Sequence, residues 1–494
     1  MKKKLCALCE LCDSIKMKKR LVILGSGESG TGAALLAQHL DYDVFVSDKG
    51  AIKAEYKSEL DTAGIAWEEN QHTLEQILNV SEIIKSPGIP EKSDMMKAVR
   101  AKGINVIGEI EFGYRHAGNC QIVAITGSNG KTTTTELTCH LLKTAGLDVR
   151  KGGNVGNSFA RMVLDDLRNR SGAGEQRVFV LEISSFQLDD IQQFRPKIAI
   201  LLNITPDHLD RYDYKLENYA ASKFRITMNQ RRGDKFIYNG FDAVVASGLT
   251  TQSRLTTTSG APSSHTTLSR QTAGPKLIAI RKGFYKKGQI KVGKGVYDMA
   301  KGNLRGPHNM FNAVCAIRAA LLLGAEPGKI QEGLNTFVPP PHRLERLAEI
   351  SGVTWINDSK ATNVDSVFYA LQAMDAPIVW IVGGQDKGND YTPLLKLVKK
   401  KVKAIVCMGV DNSKIIKVFE GMKKPMVETE SAAEAVKAAA GFAKKGDTVL
   451  LSPACASFDL FKNYEDRGAQ FREAVLQMNQ SPINQSPTHA NHRA

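Results

Sequence analysis

No run of about 18 apolar residues occurs in the 494-residue chain, so no membrane-spanning helix is expected. The start does not read as a secretory signal either, because Glu10 and Asp13 interrupt any apolar stretch. Cysteine is sparse. Of eight, five stand singly (Cys120, Cys139, Cys315, Cys407, Cys455), which makes no disulfide framework and fits a reducing cytoplasm. The other three form "CALCELC", a C-x-x-C-x-x-C spacing among lysines with no fourth ligand close by. Residues 1–17 therefore read as a flexible arm rather than a metal site, with Met17 an alternative beginning. Acids are missing altogether between residues 243 and 297, where nine Lys and Arg stand, and residues 1 to 20 hold seven basic residues against two acids. Those two segments supply nearly all of the formal charge of +15. The rest is close to neutral, so no basic face for nucleic acid is implied.

What is present is a repeated pattern. Short apolar strands alternate with helical stretches three times over, which predicts α/β architecture with mostly parallel sheets, and 494 residues exceed what one core supports. Three domains are expected after the arm. Residues 18–112 should be Rossmann-like and 113–338 of the phosphate-loop ATPase type, with a Ser/Thr-rich flexible insertion at about 245–277. Residues 339–477, entered through the triple proline 339–341, should be Rossmann-like again, and 478–494 read as a disordered tail.

The first domain opens with "RLVILGSGESG". Leu21–Leu24 should form a strand, and Gly25, Gly27 and Gly30 give G-x-G-x-x-G ahead of a helix, with Asp48 eighteen residues after Gly30. Taken alone the fingerprint would say NAD, but any diphosphate-bearing nucleotide can use the same turn. Ser86 and Gly88, in "IIKSPGIP", form a second strand-end turn able to add donors to the same ligand.

The middle domain carries "VAITGSNGKTTTTE" (123–136), a phosphate loop short of the strict G-x-x-x-x-G-K-[ST] spacing. The chemistry survives the shortening. A strand over Ile122–Ile125, a turn through Gly127, Asn129 and Gly130, and a helix starting near Lys131 would aim backbone N–H groups at an anion. Lys131 adds a charge for phosphates, and Thr132 or Thr133 a hydroxyl for Mg²⁺. Glu182 ends an apolar strand, where a Mg²⁺-binding carboxylate belongs. His208, beside Asp207 and Asp210, read singly, is a helix-start histidine, and Lys223 by default a solvated helix lysine. Asn309 and Asn312 should share one face of a helix.

The ordered set "TGSNGKTT", "GGNVGN", "LEISSFQL", "NITPDHLDRY", "LRGPHN", "PHRLE", "NDSKATN" and "LLSPACASFDLFKNYEDRG" resembles the Mur ligase superfamily of peptidoglycan synthesis, over residues 20 to 475, and most closely its D-glutamate-adding branch. The resemblance implies a cytoplasmic, monomeric ligase that engages neither membrane nor nucleic acid. It would use ATP and two Mg²⁺ to join D-glutamate to UDP-N-acetylmuramoyl-L-alanine through an acyl phosphate and a tetrahedral intermediate. By the same resemblance Gly127, Ser128, Asn129, Gly130, Lys131, Thr132 and Thr133 bind ATP phosphates, and Asn309, Arg343 and Asp358 flank its adenosine. Lys131, Glu182, His208 and Lys223 become catalytic, with Thr132, Glu182, His208 and a carbamylated Lys223 as metal positions. Gly27, Glu28, Ser29, Asp48, Lys49, Ser86 and Gly88 take the uracil and diphosphate, which displaces NAD, and Asn154 contacts the reacting part of the substrate. Lys360, Thr362, Lys387, Ser457 and Tyr464 surround D-glutamate, whose carboxylates call for cations and hydroxyls. "NDSKATN" stands where other Mur ligases and folylpolyglutamate synthetases carry D-Y-x-H-x-P or D-x-A-H-N-P, which favours D-glutamate. A sister ligase or folylpolyglutamate synthetase-like enzyme with another amino acid, an NAD-dependent oxidoreductase and a nucleotide-gated binding protein are the alternatives.

Overall fold

The computed structural model describes residues 18–169, 177–249, 274–304, 306–375 and 377–480. The cysteine-bearing arm and most of the Ser/Thr-rich insertion lie outside them, as does the tail from 481 on, residues 478–480 being the end of the helix Tyr464–Gln480. The chain divides into two compact units, one made of the chain through Phe284 plus Cys315–Gly333, the other of Tyr285–Val314 and Leu334 onward.

The first unit holds two parallel sheets. Strands β1 (Arg20–Leu24), β2 (Asp43–Ser47), β3 (Ala66–Glu68), β4 (Glu82–Lys85) and β5 (Asn105–Gly108) lie in the order β3-β2-β1-β4-β5. Strands β6 (Gln121–Thr126), β7 (Val149–Gly153), β8 (Val178–Glu182), β9 (Ile198–Leu201), β10 (Lys235–Asn239) and β11 (Lys276–Ile280) lie in the order β11-β10-β9-β6-β8-β7. The unbroken apolar runs have their physical reason here: Leu21–Leu24 and Val178–Leu181 are buried on both faces of their sheets, as parallel strands covered by helices must be. In each sheet the strand order reverses around the first strand, β1 between β2 and β4, and β6 between β9 and β8. Such reversals leave a crevice at the carboxyl ends of the strands, where ligands bind.

Helix α1 (Glu28–His39) follows β1, α2 (Glu109–His116) follows β5, α3 (Lys131–Thr144) follows β6, and α4 (Phe159–Arg168) follows β7. Helices α1 and α4 bring the two sheets of this unit together. The Glu28 carboxylate accepts hydrogen bonds from the Ser158 backbone N–H (2.8 Å) and from Arg161 Nε (2.9 Å) and Nη2 (3.1 Å), while Arg161 Nη1 reaches Glu59 at 2.6 Å. Nearby the fully buried Glu109 accepts from the Ala160 N–H, and burial pushes its pKa up to about 8. That carboxyl stays protonated at neutral pH, which spares the interior an unpaired charge.

The second unit contains a small antiparallel meander, β12 (Tyr285–Lys286), β13 (Gln289–Val292) and β14 (Gly295–Asp298), and a six-stranded sheet. The latter comprises β15 (Glu345–Ile350), β16 (Val353–Asn357), β17 (Ile378–Gly383), β18 (Val402–Met408), β19 (Met426–Thr429) and β20 (Thr448–Ala454), ordered β15-β16-β20-β17-β18-β19. It is parallel except for β15, which pairs antiparallel with β16. The expected α/β class with mostly parallel sheets is what the chain adopts, and the meander and the β15 edge are its antiparallel exceptions.

The tightest packing in the first unit is at Gly30, where an added Cβ would lie 1.8 Å from the Gly25 carbonyl oxygen, so α1 cannot approach the β1 turn with any other residue. Gly30→Ala should lower unfolding stability by about 1–3 kcal/mol, the usual range for overpacking, measurable as a reduced urea midpoint. An unchanged midpoint would show that the turn yields.

Candidate functional site

At the carboxyl end of β6 the chain turns through Gly127–Gly130 into α3. Gly130 caps α3 with φ +86°, a left-handed conformation that a Cβ disfavours. Asn203, just beyond β9, grips the turn: its Oδ1 accepts from the Asn129 N–H (2.8 Å), its Nδ2 donates to the Asn129 carbonyl (3.0 Å), and its own carbonyl accepts from the Ser128 N–H (2.9 Å). Ser128 Oγ donates to the Thr205 carbonyl at 2.9 Å. Thr132 and Thr133 follow in the first turn of α3, whose N-terminus suits an anion.

Two ammonium groups converge on one oxygen. Lys131 Nζ donates to the Gly127 carbonyl and to the Ser128 carbonyl, both at 2.9 Å, and Lys223 Nζ donates to the same Gly127 carbonyl at 2.9 Å. Lys223 sits in helix α5 (Leu216–Phe224) and is 1% exposed, so the default reading of a solvated helix lysine is corrected. The helix turns this residue inward, with the Nζ 4.5 Å from the centre of the buried Tyr219 ring. Burial first, and Lys131 second, hold the Lys223 pKa well below the ordinary lysine value against the opposing pull of Asp207, Asp189 and Glu182.

Glu182 ends β8 with its carboxylate buried. One oxygen accepts from Asn154 Nδ2 at 3.0 Å; the other is buried and has no partner among the described residues. An orphaned carboxylate oxygen is costly, and a cation beside it removes the cost, so the site fits a hard metal ion. Asn154 itself is tied to the strand end, its N–H donating to the Glu182 carbonyl at 2.8 Å. His208 opens the short turn Leu209–Tyr212 with φ +51°, its ring edge-on to Phe186 at 5.2 Å and its Nε2 3.7 Å from Asp207. Among the described residues no three of His, Cys, Asp and Glu gather into a metal cage. A Mg²⁺ here would take hydroxyls, phosphate oxygens and water for the remainder of its ligands.

A cavity of about 920 Å³ opens at the β1/β4 reversal, and Gly27, Glu28, Ser29, Asp48, Lys49, Ser86 and Gly88 all line it. Gly27 has no atom within 4 Å of where a Cβ would stand, which leaves room for a diphosphate. Two of these acids are already engaged. Asp48 accepts from the Ser26 N–H and Oγ, both 2.7 Å, and from the Gly50 N–H at 2.8 Å, and Glu28 is held by Ser158 and Arg161. Asn154 does not line this cavity; it belongs with Glu182.

In the second unit, Asp358 is buried just after β16, accepting from Ser452 Oγ (2.9 Å) and from the Leu344 N–H (3.1 Å). Burial raises its pKa to about 7, the hydrogen bonds and Arg343 opposing. Lys360 Nζ lies 3.5 Å from the centre of the Tyr464 ring, and the Thr362 N–H donates to the Lys360 carbonyl at 2.8 Å. Ser457 is buried beyond β20, whereas Lys387 stands exposed on the loop after β17. Asn309 Oδ1 accepts from Asn312 Nδ2 at 3.3 Å, as their spacing in the Pro307–Leu322 helix requires. Arg467 is 1% exposed and in no ion pair among the described residues; its guanidinium donates to the Ser359 carbonyl (2.8 Å), to Ser359 Oγ (3.0 Å) and to the Cys455 carbonyl (3.3 Å). It ties the segment before Lys360 to the segment before Ser457, and burial lowers its pKa to about 10.

Three domain models match in order: MurD N-terminal domain over residues 20–95, Mur ligase middle domain over 125–320, and Mur ligase, glutamate ligase domain over 342–455. The UDP-N-acetylmuramoylalanine--D-glutamate ligase of Christiangramia forsetii is 48% identical, the match covering 93% of this chain and 99% of that one. The Porphyromonas gingivalis protein of the same name is 46% identical, over 94% and 100%. The chain belongs to the Mur ligase family. Among solved structures, the UDP-N-acetylmuramate-alanine ligase of Thermotoga maritima shares this Mur ligase fold with a TM-score of 0.55 at 19% identity, over 93% and 99% of the two chains. A pseudomurein peptide ligase type C from Methanothermus fervidus does so with 0.54 at 20%, over 93% and 100%. Membership removes the oxidoreductase reading of the G-x-G-x-x-G turn.

Sequence reasoning missed several residues of this Mur ligase. Asn203 had a signal, a polar residue at a strand end in "NITPDH". Arg161 and Arg467 had none, because each works through partners distant in the chain.

Asp358 sets a pH dependence. Its folded pKa of about 7 exceeds the ordinary 3.8, so the folded chain keeps a proton that the unfolded chain releases, and stability falls as pH rises from about 4 to 7 and is flat above. Asp358→Asn should flatten that slope. Urea midpoints of the two proteins at pH 4, 5.5 and 8 check it, and parallel curves would contradict it.

Proposed function

We propose that this Mur ligase joins D-glutamate to UDP-N-acetylmuramoyl-L-alanine with ATP, in the cytoplasm and as a monomer, its roles divided among residues 18–112, 113–338 and 339–477. The observation that carries the reading is the pair of lysines on the Gly127 carbonyl beside the orphaned Glu182 oxygen. It builds alternating charge at the mouth of a phosphate loop. Full-length likeness to relatives named for D-glutamate supports the amino acid.

The substrate carboxylate attacks the γ-phosphorus of ATP, the bond from that phosphorus to the ADP oxygen breaks, and an acyl phosphate forms. The deprotonated amine of D-glutamate then adds to the carbonyl carbon, and the tetrahedral intermediate collapses, expelling inorganic phosphate and leaving the amide. Lys131 is placed to exchange its two loop carbonyls for phosphate oxygens, neutralising charge as it shifts towards the leaving group. The lowered pKa of Lys223 favours release of its proton, and the neutral amine is the form that adds CO₂; loss of a further proton then gives an anionic carbamate. Mg²⁺, held by Glu182, Thr132, His208 and carbamylated Lys223, would supply further neutralisation of phosphate oxygens. Asn154 orients Glu182 and faces the reacting end of the substrate. Gly27, Glu28, Ser29, Asp48, Lys49, Ser86 and Gly88 receive or shape the nucleotide site, and Asn309, Arg343 and Asp358 the adenosine. Lys360, Thr362, Lys387, Ser457 and Tyr464 receive D-glutamate.

Phosphate release from Mg²⁺-ATP and UDP-N-acetylmuramoyl-L-alanine should require D-glutamate and fail with L-glutamate, L-lysine and meso-diaminopimelate. Lys131→Ala should lower kcat by about 10²–10³ or more, the scale of losing one transition-state charge contact. Release with another of these amino acids would replace D-glutamate in the account, and retained activity in Lys131→Ala would remove the phosphate role from that lysine.

A further inference from the structure

One histidine on the nucleotide cavity is wired to the scaffold and has no assigned role. His72 lines the cavity, and its Nδ1 lies 2.7 Å from Ser47 Oγ at the end of β2. Ser47 Oγ donates its only proton to Glu68 Oε1, also at 2.7 Å. Glu68 accepts in addition from the Thr73 N–H (2.8 Å) and Thr73 Oγ (2.5 Å). Burial raises the Glu68 pKa, but these hydrogen bonds from Ser47 and Thr73 outweigh it and hold the group lowered and ionised.

The chain of donors settles the tautomer. With the hydroxyl proton of Ser47 committed to a carboxylate, the Ser47 oxygen can only accept, so Nδ1 of His72 must carry the proton. Burial, aided by Lys49 and opposed by Glu68 and Asp48, lowers the His72 pKa, so the ring is neutral at neutral pH. Nε2 is then a bare acceptor, and no described protein group bonds it. Every other element of the arrangement is satisfied.

Resting on the ligase reading above, we propose that His72 is a specificity-determining residue for the nucleotide substrate: its Nε2 accepts a hydrogen bond from a donor on the uridine half, either the uracil N3–H or the ribose 2′-hydroxyl. A cytosine ring offers no N3–H, and a 2′-deoxyribose lacks one hydroxyl, so either substitution can remove the partner. Ser47 and Glu68 act as positioning residues that keep the acceptor facing the ligand. A site built to hydrogen-bond a donor discriminates against the analogue lacking it, because its own polar group is left unpaired.

The test is calorimetric titration of UDP, 2′-deoxy-UDP and CDP into the wild type, His72→Phe and His72→Gln. Phenylalanine keeps ring bulk without an acceptor, and glutamine restores one. UDP should bind His72→Phe about tenfold more weakly than the wild type, the scale of one such hydrogen bond, with partial recovery in His72→Gln and an unchanged KM for ATP. The analogue that lacks the contacted donor should bind wild type and His72→Phe alike, which tells N3–H from the 2′-hydroxyl. Equal UDP affinity in the wild type and His72→Phe overturns the role of His72 while leaving the ligase reading intact. Failure of UDP to bind the wild type at all overturns the uridine contact as well, while phosphate release with D-glutamate decides the ligase reading separately.

Discussion

The carbonyl oxygen of Gly127 accepts from Lys131 and Lys223 at once, and the site depends on that convergence. Two like charges on one acceptor repel, and one of them is buried, so the pair is stable only if the buried ammonium gives up its proton or if anions come close. Both escapes would suit the proposed phosphoryl transfer. Phosphate oxygens would relieve Lys131, and a neutral Lys223 could be converted into an anion of the kind a metal ion needs. The unpaired oxygen of Glu182 presents the opposite imbalance a strand away. Positive excess and negative excess stand on neighbouring strand ends, and in the proposed mechanism ATP with Mg²⁺ would cancel both.

The fold's part is to make those imbalances adjacent. The reversal of strand order around β6 puts the phosphate loop between the ends of β8 and β9, so Glu182 and Asn203 reach it from neighbouring strands. The same reversal around β1 opens the cavity proposed for the nucleotide, and Glu28 ties the rim of that cavity to the start of α4 through Ser158 and Arg161. The segment running into Ser158 carries Asn154, which holds Glu182. The segment 154–158 therefore touches both Glu182 at the end of β8 and Glu28 at the rim of the first cavity.

Much of this was legible in the sequence because it is local. Leu21–Leu24, Ile122–Ile125 and Val178–Leu181 read as strands since parallel strands are apolar throughout, and the residues after them read as ligand contacts because strand ends are where polar groups emerge. What stayed illegible is tertiary. Whether Lys223 faces water or the interior depends on which side of α5 packs, and one exposed-looking lysine at helical spacing carries no sign of it. Nothing in the sequence around His72 shows that Ser47, twenty-five positions earlier, meets it at 2.7 Å. Nor does the charged stretch around Arg467 show that the carbonyls of Ser359 and Cys455 close on it. Asp48, chosen as a nucleotide contact from its spacing, lines the cavity but spends its carboxylate on Ser26 and Gly50.

The proposal on which the mechanism turns is that Lys223 releases its proton and takes up CO₂ as a carbamate. Carbon-13 NMR of the protein in ¹³C-bicarbonate at neutral pH, compared with Lys223→Met, measures this directly. The account predicts one carbamate carbon signal in the wild type that is absent from the variant and strengthens when Mg²⁺-ATP is added. No signal in folded wild-type protein saturated with Mg²⁺-ATP would contradict it, and would leave Lys223 a structural donor to the Gly127 carbonyl.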